Sequence, residues 1–189
     1  MLFTEDRWDP NKEIDWYRIK KLWSKYWDRS KSVLLEKSPP NICRANDIDK
    51  VFSNSKYICL VRDPYAQIQS NIRRYNTDIE LATEKYISYL KFQKNNIQTL
   101  EKTLIISYEE LADNPSKAKE KISAFLPLLE DININLKFNA HNMHQKKQMG
   151  ITNLNQESIK ALTKDQINSI NTILDKEHDL IKYFNYNIL

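Results

Sequence analysis

Arg62 and Ser70 are residues whose types and spacing could together seat an anion. A guanidinium presents paired, charge-assisted donors to a phosphate or carboxylate, and a serine hydroxyl adds a further donor. What they can do depends on what carries them. Residues 56–74 read KYICLVRDPYAQIQSNIRR. Tyr57-Ile58-Cys59-Leu60-Val61 is a continuous apolar run rich in aromatic and β-branched residues, the pattern of a central strand covered on both faces. Arg62 and Asp63 end the run. Pro64 suits the first position of a helix, where its missing N–H is not needed, and Asp63 is its expected N-cap. Tyr65, Ile68, Ile72 and Tyr75 then share one helical face, with Ser70, Arg73 and Arg74 opposite. An arginine at a strand's carboxyl end and a serine on the next helix can converge in the crevice where α/β proteins bind ligands. An equally simple reading pairs Arg62 with a nearby carboxylate and leaves Ser70 solvated.

The elements around this stretch follow from the same patterns. Residues 12–27 carry Trp16, Ile19, Trp23, Tyr26 and Trp27 at helical spacing, a stripe expected to pack on a sheet. Residues 32–36 (SVLLE) read as a strand, which Pro39 and Pro40 stop. Lys37 and Ser38 would then sit at a second carboxyl edge, or Lys37 is a surface lysine weakly paired with Glu36. Residues 47–52 form a short helix, and Thr77-Asp78-Ile79-Glu80 reads as a capping box opening a helix to about Leu100. Thr103–Ser107 is a third strand, followed by Tyr108-Glu109-Glu110-Leu111 and a helix opened by Asn114-Pro115. Residues 131–156 are irregular and polar, and Thr163 with Gln166 caps a last helix to about Tyr183. Alternating strands and helices imply parallel pairing with helices on both faces.

Composition narrows the function. The chain has 189 residues and a formal charge of +4, with Lys and Arg interleaved among Asp and Glu. That length suits a single domain, and the mixed surface is no nucleic-acid footprint. Two cysteines, Cys43 and Cys59, make neither a disulfide framework nor a metal set. His141 and His144 have the H-x-x-H spacing, but without an acidic or cysteine partner they read as an exposed pair and no metal is expected. No apolar run reaches the roughly 18 residues that span a bilayer. The polar, acidic start is no signal peptide, so a cytoplasmic chain is expected; a Golgi-type enzyme would need an anchor upstream. Gly150 is the sole glycine, so neither a Walker loop nor a dinucleotide GxGxxG is present, which counts against a nucleotide kinase.

LVRDPYAQIQS resembles the 3′-phosphate-binding element of the sulfotransferases that use 3′-phosphoadenosine 5′-phosphosulfate (PAPS). EKSPPN resembles their lysine motif. The W-x-x-x-W-D of Trp23 to Asp28 recurs in a branch of that family, and the order of strand, YEEL, NP and helix is also similar. The resemblance covers about residues 23–126. It implies a P-loop-like α/β fold: three layers, a mostly parallel central sheet and helices on both faces, in one domain over residues 1–189. It implies PAPS as donor, no metal, and a hydroxyl or amine acceptor on a carbohydrate, protein or small molecule. Lys37 would be catalytic, stabilising charge on the bridging oxygen. Arg62 and Ser70 would hold the 3′-phosphate, with Ser38, Tyr108 near the adenine, and Lys146 and Lys147 of a late basic loop also on the donor. The family's opening βα unit, with the loop that grips the 5′-phosphosulfate, has no match before Lys37. No general base can be chosen among Glu5, Asp6 and Glu13. The expectation is a sulfotransferase that lacks its first βα unit and is impaired alone; the alternative is a non-catalytic module of the same fold that joins a partner chain or a second copy.

Overall fold

The structure is a computed structural model and describes residues 6–139 and 148–189. The chain divides into two compact units, one of Met1–Cys59 and Lys91–Leu104, the other of Leu60–Leu90 and Ile105–Leu189.

In the first unit, α1 (Trp16–Trp23) opens on Asp15, whose carboxylate accepts from the Arg18 N–H at 2.9 Å. Trp16, Ile19 and Trp23 are buried with Ile48 of α2 (Ala45–Val51), and Trp27, Val51 and Phe52 pack against them. The tryptophan stripe thus packs on a helix, where sheet packing was expected. The helix also stops earlier, at Trp23, and the turn beyond it leaves Tyr26 80% exposed. The buried Arg44 guanidinium fastens the segment before α1, donating to the carbonyls of Pro10 at 3.1 Å and Lys12 at 2.6 Å and also to Asp9.

Residues 32–36 do not form the expected strand. A strand exists only where a neighbour takes its backbone hydrogen bonds. Here Leu34 and Leu35 are exposed, and the Leu35 carbonyl accepts from the Trp27 indole at 3.2 Å. Lys37 therefore follows an irregular segment and not a strand.

β1 (Tyr57–Val61) and β2 (Thr103–Ser107) do form, and they pair in parallel as a two-stranded sheet. Among the described residues no further strand joins them, so they show a two-stranded sheet where the broad central sheet of a three-layer fold was expected. Cys59 and Val61 point inward while Ile58 and Leu60 are exposed, so β1 is covered on one face and not on both. Burial pushes the Cys59 thiol up to about 11, which fits a small apolar residue.

The second unit holds the arginine-bearing stretch. α3 (Pro64–Tyr75) starts as its sequence demands: Pro64 is first, and Asp63 accepts from the Ala66 N–H at 2.9 Å. Tyr65, Ala66 and Ile68 are buried, but Tyr75 is 66% exposed, because the helix ends there and Asn76 turns left-handed. α4 (Ile79–Thr99) is capped by Asp78, which accepts from the Leu81 N–H at 3.1 Å. Its Ala82, Tyr86, Ile87 and Leu90 are buried.

After β2, Ser107 caps α5 (Tyr108–Asp113) and Asn114 caps α6 (Pro115–Phe125). A short antiparallel pair, β3 (Phe138–Asn139) with β4 (Gln148–Met149), interrupts the tract expected to be irregular. α7 (Asn155–Lys160) then packs against α3. The expected last helix is broken in two: α8 (Lys164–Leu174) and α9 (His178–Tyr183), joined by a 3-10 turn at Asp175–Glu177.

The capping box of α8 is complete, with Thr163 accepting from the Gln166 N–H at 3.2 Å and the Gln166 side chain accepting from the Thr163 N–H at 2.9 Å. Thr163→Ala removes half of it and is expected to cost about 1 kcal/mol. A chemical-denaturation midpoint that does not move would refute that.

Candidate anion-binding site

Arg62 leaves the end of β1 and Asp63 begins the turn into α3, so the backbone fixes where the Arg62 side chain starts. Two groups then hold it. Its Nε donates to Oδ1 of Asn155 at 2.8 Å, and its Cζ lies 4.3 Å from the centre of the Tyr108 ring. Its terminal nitrogens, Nη1 and Nη2, have no hydrogen-bond partner among the described residues. The arginine is therefore anchored by its stem side and one flat face, and the fork that recognises oxyanions is left open.

Glu109 organises the surroundings. Its Oε1 accepts from the Asp63 backbone N–H at 2.9 Å and from the Asn155 amide, and its Oε2 accepts from the Tyr186 hydroxyl at 2.9 Å. Burial pulls the Glu109 carboxyl upward, but these donors overcome it and hold the group below its ordinary value. Asp63 shifts the other way: burial raises it, and the nearby Glu109 charge adds to that, against the Ala66 cap. Tyr86, buried in α4, donates to the Arg62 carbonyl at 2.9 Å and fixes the backbone at the same turn. Tyr108 is itself held at its hydroxyl, which donates to the Thr152 carbonyl at 2.8 Å and accepts from the Leu154 N–H at 3.2 Å.

Of the residues singled out from sequence, Arg62 and Tyr108 are thus brought into contact. The Tyr108 ring gives one face to the guanidinium, so its first role here is to brace Arg62. Ser70 is half-buried in α3, and its side chain has no partner among the described residues. The carboxylate partner considered for Arg62 is not found in direct contact; a neutral amide stands in that place. Lys146 and Lys147, like His141 and His144, lie outside the described residues.

Lys37 and Ser38 belong to the first unit. Lys37 is exposed, and no carboxylate is within ion-pair distance among the described residues, so it does not pair with Glu36. Glu36 is occupied otherwise, accepting from the Ser38 hydroxyl at 2.5 Å and from the Asn41 amide. Asn41 in turn accepts from the buried Arg7 at 2.9 Å. These bonds, with the 3-10 turn at Pro39–Cys43, shape the loop around Lys37. A shallow groove of about 470 Å³ also opens on this unit, lined among others by Lys20, Lys21, Arg29, Trp27 and Leu34.

Asn155 and Glu109 escaped the sequence reading as site residues. Glu109 was visible only as part of a helix start, and Asn155 stands in a polar tract ninety-three positions after Arg62. The one local signal for Asn155 is the Asn-x-Asn spacing, in which Asn153 accepts from the Asn155 N–H at 2.9 Å.

A strand that delivers an arginine to a capped helix, with no partner for the guanidinium fork among the described residues, gives the chain its α/β character and its candidate anion site. The model of the sulfotransferase family matches residues 9–130, and the chain belongs to that family. Its general chemistry is that of a transferase acting on sulfuryl groups. The matched span includes Lys37, Ser38, Arg62, Ser70 and Tyr108 and ends before Asn155. No curated protein and no solved structure matches the chain. Among the described residues no cluster of His, Cys, Asp or Glu could hold a metal ion, and no helix is long and apolar enough to cross a membrane.

Proposed function

We propose that this chain binds PAPS and takes part in moving its sulfuryl group to a hydroxyl or amine acceptor, with Arg62 as the main contact to the nucleotide's 3′-phosphate. The observation that carries this reading is the state of the Arg62 side chain. Nε and one face are committed to Asn155 and Tyr108, while the two terminal nitrogens are unpartnered among the described residues. A phosphate dianion fits two parallel N–H donors better than any single point charge does. Ser70 adds a hydroxyl from the following helix, and its side chain has no partner among the described residues.

In such a reaction the acceptor attacks sulfur in line and the nucleotide leaves, so the protein's work is positioning and charge stabilisation. Lys37 is the cation assigned to the bridging oxygen, where charge builds as the bond to sulfur breaks. Its exposed position, with no carboxylate at ion-pair distance among the described residues, suits that role. Holding the remote 3′-phosphate supplies binding energy that fixes the reacting end of the donor.

The direct test is calorimetry with two nucleotides that differ only in the 3′-phosphate. Adenosine 3′,5′-bisphosphate is expected to bind at least about 100-fold more tightly than adenosine 5′-monophosphate, the effect of a pair of charge-assisted contacts. Equal affinities, or no heat with either, would overturn the assignment.

A further inference from the structure

We infer that Asn155 is a positioning residue for Arg62: it fixes the guanidinium for the 3′-phosphate while adding no negative charge beside it. The inference rests on the nucleotide reading above and extends it to a residue outside the span that the family model matches.

Asn155 is buried, 6% exposed, and both ends of its amide are spoken for. Oδ1 accepts from Arg62 Nε at 2.8 Å, and Nδ2 donates to Glu109. The carboxylate decides which way the amide faces. Only the NH2 end can meet an ionised oxygen favourably, so the carbonyl end must face the arginine. Glu109 is itself pinned by the Asp63 N–H and the Tyr186 hydroxyl, so the chain from Tyr186 to Arg62 leaves little freedom at any link.

The choice of an amide has an electrostatic consequence. A carboxylate bonded directly to Arg62 would hold it equally well, but it would cancel much of the charge that attracts a phosphate. Asparagine passes on the orientation imposed by Glu109 and keeps that negative charge one residue further away. The backbone around it is equally fixed: Asn153 accepts from the Asn155 N–H, and α7 packs on α3, the helix that begins next to Arg62.

Two variants and two readouts test this. In Asn155→Ala the preference for adenosine 3′,5′-bisphosphate over adenosine 5′-monophosphate is expected to fall about tenfold, with affinity for the monophosphate unchanged. In Asn155→Asp, nearly isosteric, the preference is expected to fall further, because a carboxylate now faces the guanidinium. Equal weakening of both nucleotides would assign Asn155 a merely structural role and overturn the proposal, as would an unchanged preference in both variants. The second readout needs no nucleotide. The Arg62 Nε–H should give a slowly exchanging NMR signal in the parent chain that is lost in Asn155→Ala; persistence of that signal also overturns the proposal. A parent chain with no preference for the 3′-phosphate would instead overturn the nucleotide reading beneath it, and thermal melting of each variant separates these results from unfolding.

Discussion

Arg62→Ala is expected to weaken binding of adenosine 3′,5′-bisphosphate by about 100-fold or more and to leave adenosine 5′-monophosphate nearly unaffected. The magnitude follows from what the substitution deletes. Two terminal N–H groups, unpartnered among the described residues, face an incoming dianion, and a hydrogen bond to a charged group contributes roughly 1.5–3 kcal/mol. Even a partial loss of the pair reaches about 2.7 kcal/mol, which is about 100-fold in affinity. Arg62→Lys should recover only part of it, because an ammonium offers no planar fork and cannot donate sideways to Asn155 as Nε does. The alanine variant should keep its fold, since Asp63 still caps α3 and Tyr86 still donates to the residue 62 carbonyl, a backbone group. Titration calorimetry decides the matter. A bisphosphate affinity that survives the substitution would remove Arg62 from the site.

Glu109→Ala is expected to destabilise the fold by about 2–4 kcal/mol, through the loss of hydrogen bonds to a charged acceptor and the stranding of their donors. Those donors are the Asp63 N–H, the Asn155 amide and the Tyr186 hydroxyl. The pH dependence gives a sharper signature. The folded-state Glu109 carboxyl sits below its ordinary value of 4.5. A carboxyl shifted down binds its proton less readily when folded, so it stabilises the fold above 4.5 and that contribution disappears as pH falls through the lowered value. Asp63 is shifted up and works in the opposite sense, favouring the fold at low pH and losing that contribution as pH rises through its raised value. Removing Glu109 as a charge should therefore flatten the acid-side loss of stability. Denaturation of Glu109→Gln along a pH series measures it, and an acid limb as steep as the parent's would show that the carboxylate is not the group responsible.

The sequence made the carriers of the site plain and left their supports hidden. Asp63-Pro64 after an apolar pentad fixes both the end of β1 and the start of α3, because cap and proline chemistry act within a few residues. Thr163 and Gln166 announce α8 for the same reason. Residues 32–36 were misread because an apolar run has strand character only if something pairs with it, and pairing is set by distant chain. The 3-10 turn at Asp175–Glu177 was missed because a helical apolar stripe can continue across a short tightening of the backbone. Asn155 was beyond reach from sequence, as its role depends on a partner ninety-three positions earlier. Lys37 and Arg62 stood out because they occur in short, recognisable strings.

The backbone takes positive φ at Asn54, Asn76 and Asn185, at 66°, 48° and 60°, whereas Gly150 does not have a positive φ and would meet nothing if it gained a Cβ. Asparagine, whose short polar side chain tolerates that region, makes the tight reversals that other chains assign to glycine. Scarcity of glycine therefore has not cost this chain its left-handed corners. What asparagine cannot imitate is bare main chain coming up against a ligand, since every Cβ keeps it at a distance. A survey of oxyanion binding in this molecule should therefore begin with side chains, Arg62 and Ser70 first.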